Sequence, residues 1–93
     1  MPIFEWDALK AKANLAKHGV DFEVAKGVFL DPAALVEADD SDPHEERWRI
    51  IGLVGGKVLF LVFTEPDDDV IRIISARKAR KREERDYFGP TAP

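Results

Sequence analysis

Five of the six residues in Arg77-Lys78-Ala79-Arg80-Lys81-Arg82 are basic, and Tyr87 and Phe88 follow shortly after. Cations at this density can bind phosphates, and aromatic rings beside them suit stacking on unpaired bases. The same pattern also describes the solvated face of a terminal helix that uses its aromatics for packing. At helical spacing Arg80 can pair with Glu84, and Arg82 with Asp86, along one face. Arg77, Lys78 and Lys81 then lack an evident partner, and this surplus points to a phosphate backbone. Arg72 lies inside the apolar run Val70-Ile71-Arg72-Ile73-Ile74-Ser75-Ala76. A guanidinium there needs a carboxylate such as Asp7 or a loop acid, a backbone carbonyl, or a bound phosphate. Strict strand alternation puts Arg72 with Ile74 and Ala76, and Ser75 and Arg77 with Ile73 on the opposite face, so the charges do not share one surface.

The remaining candidates are weaker. His18 sits at the end of a helical pattern, where an imidazolium is stabilised by the helix dipole; a structural cap and a proton-transfer role both fit it. His44 lies among acids and reads as solvated. The loop Asp39-Asp40-Ser41-Asp42-Pro43-His44-Glu45-Glu46 lacks the sixth-position glycine and twelfth-position glutamate of an EF-hand. Asp67-Asp68-Asp69 reads as a turn. Trp6 and Trp48 read as core or edge anchors. The sequence has no Walker-type loop, nucleophile elbow, zinc spacing or cysteine, and neither a metal nor an organic cofactor is expected.

These residues belong to a chain of 93 residues, 45% hydrophobic, with formal net charge −4. That length suits one domain spanning residues 1–93. The charge is unevenly placed: residues 1–30 are balanced, 31–46 hold seven acids and no lysine or arginine, 47–71 sum to −1, and the segment from Arg72 onward sums to +4. An acidic middle and a basic end are therefore expected. The amino terminus lacks a signal-like basic and apolar pattern, and no stretch is apolar enough to cross a bilayer, so a cytoplasmic protein with no membrane partner is expected.

The elements that must position these groups follow from periodicity and capping. Phe4-Glu5-Trp6 reads as a short extended lead-in. Asp7 can cap a helix with Leu9, Ala13 and Ala16 on its apolar face, ending at Lys17-His18-Gly19. A second helix starts at the Asp21 cap, carries Phe22, Ala25 and Phe29 inward, and stops before Asp31-Pro32. The period then changes to two. Residues 34–38 form a candidate strand, and residues 47–54 and 57–64 form a hairpin about Gly55-Gly56. A turn at Pro66–Asp69 leads to a strand over 70–76, and a charged helix runs from Ala79 to Phe88, ended by Gly89-Pro90. The predicted fold is α+β: two N-terminal helices packed on an antiparallel sheet of three to four strands, then a C-terminal charged helix. The opposite sheet face is left for a ligand, with Arg47 on it if that residue points with Ile51 and Leu53.

The ordered segments Phe4-Glu5-Trp6-Asp7, Lys17-His18-Gly19-Val20, Phe22-Glu23-Val24-Ala25, Phe29-Leu30-Asp31-Pro32, Glu46-Arg47-Trp48, Ile71–Ala79 and Glu83-Glu84-Arg85-Asp86-Tyr87 together resemble the BrnT family. The match runs nearly end to end, and Ile74-Ser75-Ala76-Arg77 is its most specific part.

The resemblance implies a RelE-like ribonuclease toxin of a type II toxin–antitoxin pair that cuts RNA without metal. It also implies a ribbon-helix-helix antitoxin, in a 2:2 complex, through which the pair binds operator DNA and represses its own operon. On that reading Arg72, Arg77 and Arg80 form a cationic clamp, His18 or Tyr87 moves protons, and Glu83 orients them. Arg47, Lys78 and Lys81 contact RNA, and Asp39, Asp40 and Asp42 face a basic antitoxin segment. A sequence pI near 5.1 is unusual for an RNA binder; it favours local RNA contact or a substrate presented on a ribosome. The rival class is a non-enzymatic protein- or nucleic-acid-interaction module, which would leave RNA full length.

Overall fold

A computed structural model describes residues 2–89. Met1 and the stretch from Pro90 onward, including half of the expected Gly89-Pro90 stop, lie outside the described residues. The chain runs β1 (Ile3–Glu5), α1 (Ala8–His18), α2 (Phe22–Ala25) continuing into a 3-10 turn over Lys26–Leu30, β2 (Leu35–Asp39), β3 (Arg47–Val54), β4 (Lys57–Asp67), β5 (Val70–Lys78) and α3 (Lys81–Phe88).

Local signals fold as the sequence predicts. The Asp7 side chain accepts the Lys10 N–H at 2.9 Å, and Asp21 caps α2 through the Glu23 N–H at 2.8 Å. Gly19 ends α1 at φ 70° and donates its N–H to the Leu15 carbonyl, a left-handed position that glycine occupies without a Cβ clash. Gly55 and Gly56, at φ 56° and 79°, turn β3 into β4, as a two-residue hairpin requires.

The sheet departs from the expectation in number and direction. It has five strands in the order β1-β5-β4-β3-β2, and it is mixed. β1 runs parallel to β5, with the register Ile3↔Val70, Phe4↔Ile71 and Glu5↔Arg72. The extended lead-in is thus an edge strand, which three residues of sequence pattern cannot announce. α1 also turns a different face inward: Leu9 is 79% exposed, Ala13 and Ala16 are exposed, and Ala11 and Asn14 face the sheet.

A bulge in β5 sets which side chains share a face. Ile73 pairs with Phe63 and Ala76 with Leu61, and all four are core residues. The interval is three residues on β5 and two on β4, so Ile74 is the extra residue and the alternation resets across it. Arg72 and Arg77 consequently both point away from the core, on one face. This corrects the strict-alternation reading that separated them.

Beyond Arg72, β1 no longer covers the edge of β5, and a buried side chain takes its place. Asn14 accepts the Ala76 N–H at 3.1 Å, donates to the Ala76 carbonyl at 2.8 Å, and donates to the Val20 carbonyl at 3.0 Å. One amide thereby joins α1, the segment leading to α2, and the strand that presents Arg77. The core beneath is built by Val20, Phe22, Ala25, Val28, Ile50, Leu59, Leu61, Phe63, Ile73 and Ala76, with Trp6 edge-on to Phe22 at 5.9 Å.

Removing that amide orphans buried backbone groups, each worth about 1–3 kcal/mol. Asn14→Leu is therefore expected to lower unfolding free energy by about 3 kcal/mol, read from the urea midpoint at unchanged slope. A loss below about 1 kcal/mol would contradict the role assigned to this side chain.

Candidate active site

The open face of the sheet reads in rows from the strand register. One row is Leu35, Ile51, Phe60 and Arg77, and the next is Glu37, Arg49, Val62 and Ser75. α3 contributes Arg80, Arg82, Glu83 and Asp86, which with Glu37, Arg49, Ile51, Phe60 and Arg77 line a groove of about 460 Å³.

Arg77 is held in this groove by an aromatic ring, a carboxylate and a backbone carbonyl. Its guanidinium carbon lies 4.1 Å from the Phe60 ring centroid, an attractive stacking geometry for a planar cation. Nη1 donates to Glu83 Oε1 at 2.8 Å and Nη2 to Glu83 Oε2 at 2.9 Å. Nη1 also reaches the Lys78 carbonyl at 3.1 Å. Glu83 Oε1 accepts the Arg80 N–H at 2.8 Å as well, so the carboxylate caps the start of α3 while it grips Arg77. Among the described residues nothing takes the Nε–H or the second Nη2 hydrogen. A guanidinium has five donors, and these two form the edge that binds phosphate oxygens in bidentate fashion.

The far end of α3 is fixed differently. Tyr87 donates its hydroxyl to Asp31 Oδ2 at 2.6 Å, and the same carboxylate accepts the Leu53 N–H at 2.8 Å and the Ala33 N–H at 2.9 Å. The Tyr87 bond holds the Asp31 carboxyl below its ordinary value and raises the Tyr87 phenol above its own. Tyr87 is thus a committed donor, poorly suited to act as a base. Asp31 escaped the sequence reading, where its place before Pro32 marked only a helix stop.

Residues 6–83 match the family model described as the ribonuclease toxin BrnT of type II toxin–antitoxin systems. The chain belongs to the BrnT toxin family. It is also similar to the ribonuclease toxin BrnT of Brucella abortus, known from a 1.1 Å crystal structure, with 29% identity and a TM-score of 0.71 over 87% of this chain and 100% of that one. No curated protein matches the sequence.

Within this BrnT-family fold the other expected site residues are dispersed. Arg72 is held by Glu5 of β1, through Nε at 2.6 Å and through Nη2, and not by Asp7 or a loop acid. Arg47 shares the open face but is held by Glu45 at 2.8 Å and Asp42 at 3.4 Å. His18 is exposed and lines a separate hollow of about 190 Å³ with Lys57 and Lys78, so it does not join Arg77, Arg80 and Glu83. Lys78 falls on that side because it alternates with Arg77. Lys81 is exposed on the first turn of α3. Asp39 accepts the Ser41 hydroxyl at 2.7 Å and Asp42 the His44 N–H at 2.8 Å, while Asp40 is exposed. The expected Arg80–Glu84 and Arg82–Asp86 pairs do not form among the described residues: Arg80 precedes α3 as its N-cap. Arg77, expected to lack a partner, has Glu83.

Hydrogen bonding from Arg77 is the main reason the Glu83 carboxyl sits below its ordinary value of 4.5. A depressed carboxyl contributes stability that is present above the unfolded value and lost as pH falls through the folded one. Part of the acid destabilisation below pH 4.5 should therefore disappear in Glu83→Gln. Urea midpoints measured down the acid limb should fall less steeply in that variant than in wild type; equal slopes would contradict the pairing.

Proposed function

We propose that this chain is a metal-independent endoribonuclease that inhibits translation and growth, with the Arg77 groove as its active site. The observation that carries the reading is the geometry of Arg77, stacked on Phe60 and fixed by Glu83 while one bidentate edge stays open. In the reaction the ribose 2′-oxygen attacks the adjacent phosphorus, its proton leaves to a base, the bond to the 5′-oxygen breaks, and that oxygen takes up a proton. A 2′,3′-cyclic phosphate and a 5′-hydroxyl end result. Charge on the phosphate oxygens grows along this path, and a pre-oriented guanidinium stabilises it without reorganising. Arg80 adds a second cation at the same wall and Glu83 positions Arg77, while Tyr87, whose one hydroxyl hydrogen goes to Asp31, anchors the far end of α3. Arg72, Arg47, Lys78 and Lys81 lie outside this groove and act as RNA contacts further along the chain's surface. His18 caps α1.

The RelE-like grouping and the partners follow the family resemblance. The antitoxin is a ribbon-helix-helix protein that binds this chain in a 2:2 assembly and carries it to operator DNA. Asp39, Asp40 and Asp42 face a basic antitoxin segment; replacing all three with asparagine keeps their local turns and should slow association, whereas an unchanged rate would place the loop in water. The location is the cytoplasm, in keeping with the absence of any helix among the described residues long and apolar enough to cross a membrane.

The test is incubation of purified protein with a defined single-stranded RNA in EDTA, alone and with ribosomes, followed by mapping of the new ends. Cleavage leaving cyclic phosphates is expected. Arg77→Ala should lower kcat/KM by about 10- to 100-fold, the loss of one charged phosphate contact. Intact RNA at micromolar protein in both settings would refute the activity and favour an interaction module.

A further inference from the structure

Arg49 repeats the arrangement of Arg77 one row along the sheet. Glu37, its direct cross-strand partner, accepts from Arg49 Nε at 3.0 Å and from Nη2 at 2.7 Å through a single oxygen. The carboxylate thus occupies one edge of the guanidinium. The other edge, Nη1 with the second Nη2 hydrogen, makes no hydrogen bond among the described residues. Arg77 is held on the converse edge by Glu83, and both side chains line the same groove.

Between the two arginines the floor is apolar. Ile51 and Phe60 are direct cross-strand partners, and Phe60 pairs in turn with Arg77. Arg49 and Arg77 stand two strands and two residues apart in this register, about 12 Å between Cα atoms at ordinary sheet spacings. That span suits two phosphates of one extended strand separated by a nucleotide or two, with a base over the Ile51–Phe60 floor. Two point cations on flexible stems would not fix such a spacing, but two guanidiniums clamped by carboxylates do.

We propose that Arg49, positioned by Glu37, is a second phosphate subsite that binds the RNA strand one or two nucleotides from the phosphate held by Arg77. The proposal rests on the ribonuclease reading for its substrate class. It assigns Arg49 to binding, not to the reacting atoms, so its loss should raise KM and leave kcat nearly unchanged. The Arg49–Glu37 pair is half exposed, and its removal should leave thermal unfolding close to wild type.

The experiment uses the whole protein and 2′-O-methyl oligonucleotides, which bind as RNA does but lack the attacking hydroxyl. Calorimetry compares a probe of two nucleotides, with one phosphodiester, and a probe of four, with three. Wild type is expected to bind the longer probe about tenfold more tightly. Arg49→Ala should bind the short probe as wild type does and lose most of that gain, with a salt-dependence slope smaller by about one. Arg49→Lys, which keeps the charge but not the forked edge, should recover only part of it. Equal affinity of Arg49→Ala and wild type for the longer probe overturns the proposal, as does the absence of any gain with length in wild type. Failure of wild type to cleave RNA, with the Arg49-dependent gain intact, refutes the ribonuclease reading and leaves this subsite standing.

Discussion

The Glu83 carboxylate organises the candidate site. It accepts both terminal nitrogens of Arg77 and the N–H of Arg80, so a single group fixes the plane of the guanidinium and the start of α3. Without it the arginine, partly buried near the end of β5, would sample more rotamers. α3 depends on the same contact, because none of its residues is fully buried. The helix is held at its start by Glu83 on Arg77 and near its end by Tyr87 on Asp31. Polar clamps of this kind are strong only when the geometry is well matched, and here it is bidentate at one end and a short charged hydrogen bond at the other.

The same device explains how an acidic chain can present cations. Four arginines point from the open face, and each is paired: Arg47 with Glu45 and Asp42, Arg49 with Glu37, Arg72 with Glu5, Arg77 with Glu83. Each carboxylate cancels charge at long range, so the row of guanidiniums adds no positive surplus to a chain of net charge −4. At contact distance the forks remain useful, because an arginine held by one edge still offers another. Recognition by such a surface is local, with weak long-range attraction for RNA.

Much of the fold was legible where the signal is local. Asp7, Gly19, Asp21 and the Gly55-Gly56 turn act through backbone conformation and short-range capping, which neighbouring residues suffice to reveal. What escaped depends on contacts across the chain. The three residues of β1 become a strand only because the β5 edge lies open beside them. Asn14 reads as a polar residue in a helix, and its three backbone partners appear only when α1 meets Ala76 and Val20. The bulge at Ile74 was hidden because Val70 to Ala76 looks like an uninterrupted strand, and that one extra residue reversed the inferred face of Arg72 relative to Arg77. In the site, Arg77 stood out by charge and Arg80 and Glu83 entered through the family resemblance, and the three line one groove. Asp31, Glu37 and Arg49 were not singled out, since each makes sense only beside its partner on another element.

The central claim is that Glu83 acts through Arg77, and a double-mutant cycle in RNA cleavage tests it most directly. If the carboxylate serves only to position the guanidinium, Glu83→Gln should lower kcat/KM, and adding it to Arg77→Ala should cost nothing more, with a coupling energy of about 1 kcal/mol or above. Additive losses in the double variant would contradict the account, because they would show that Glu83 and Arg77 contribute to the reaction independently.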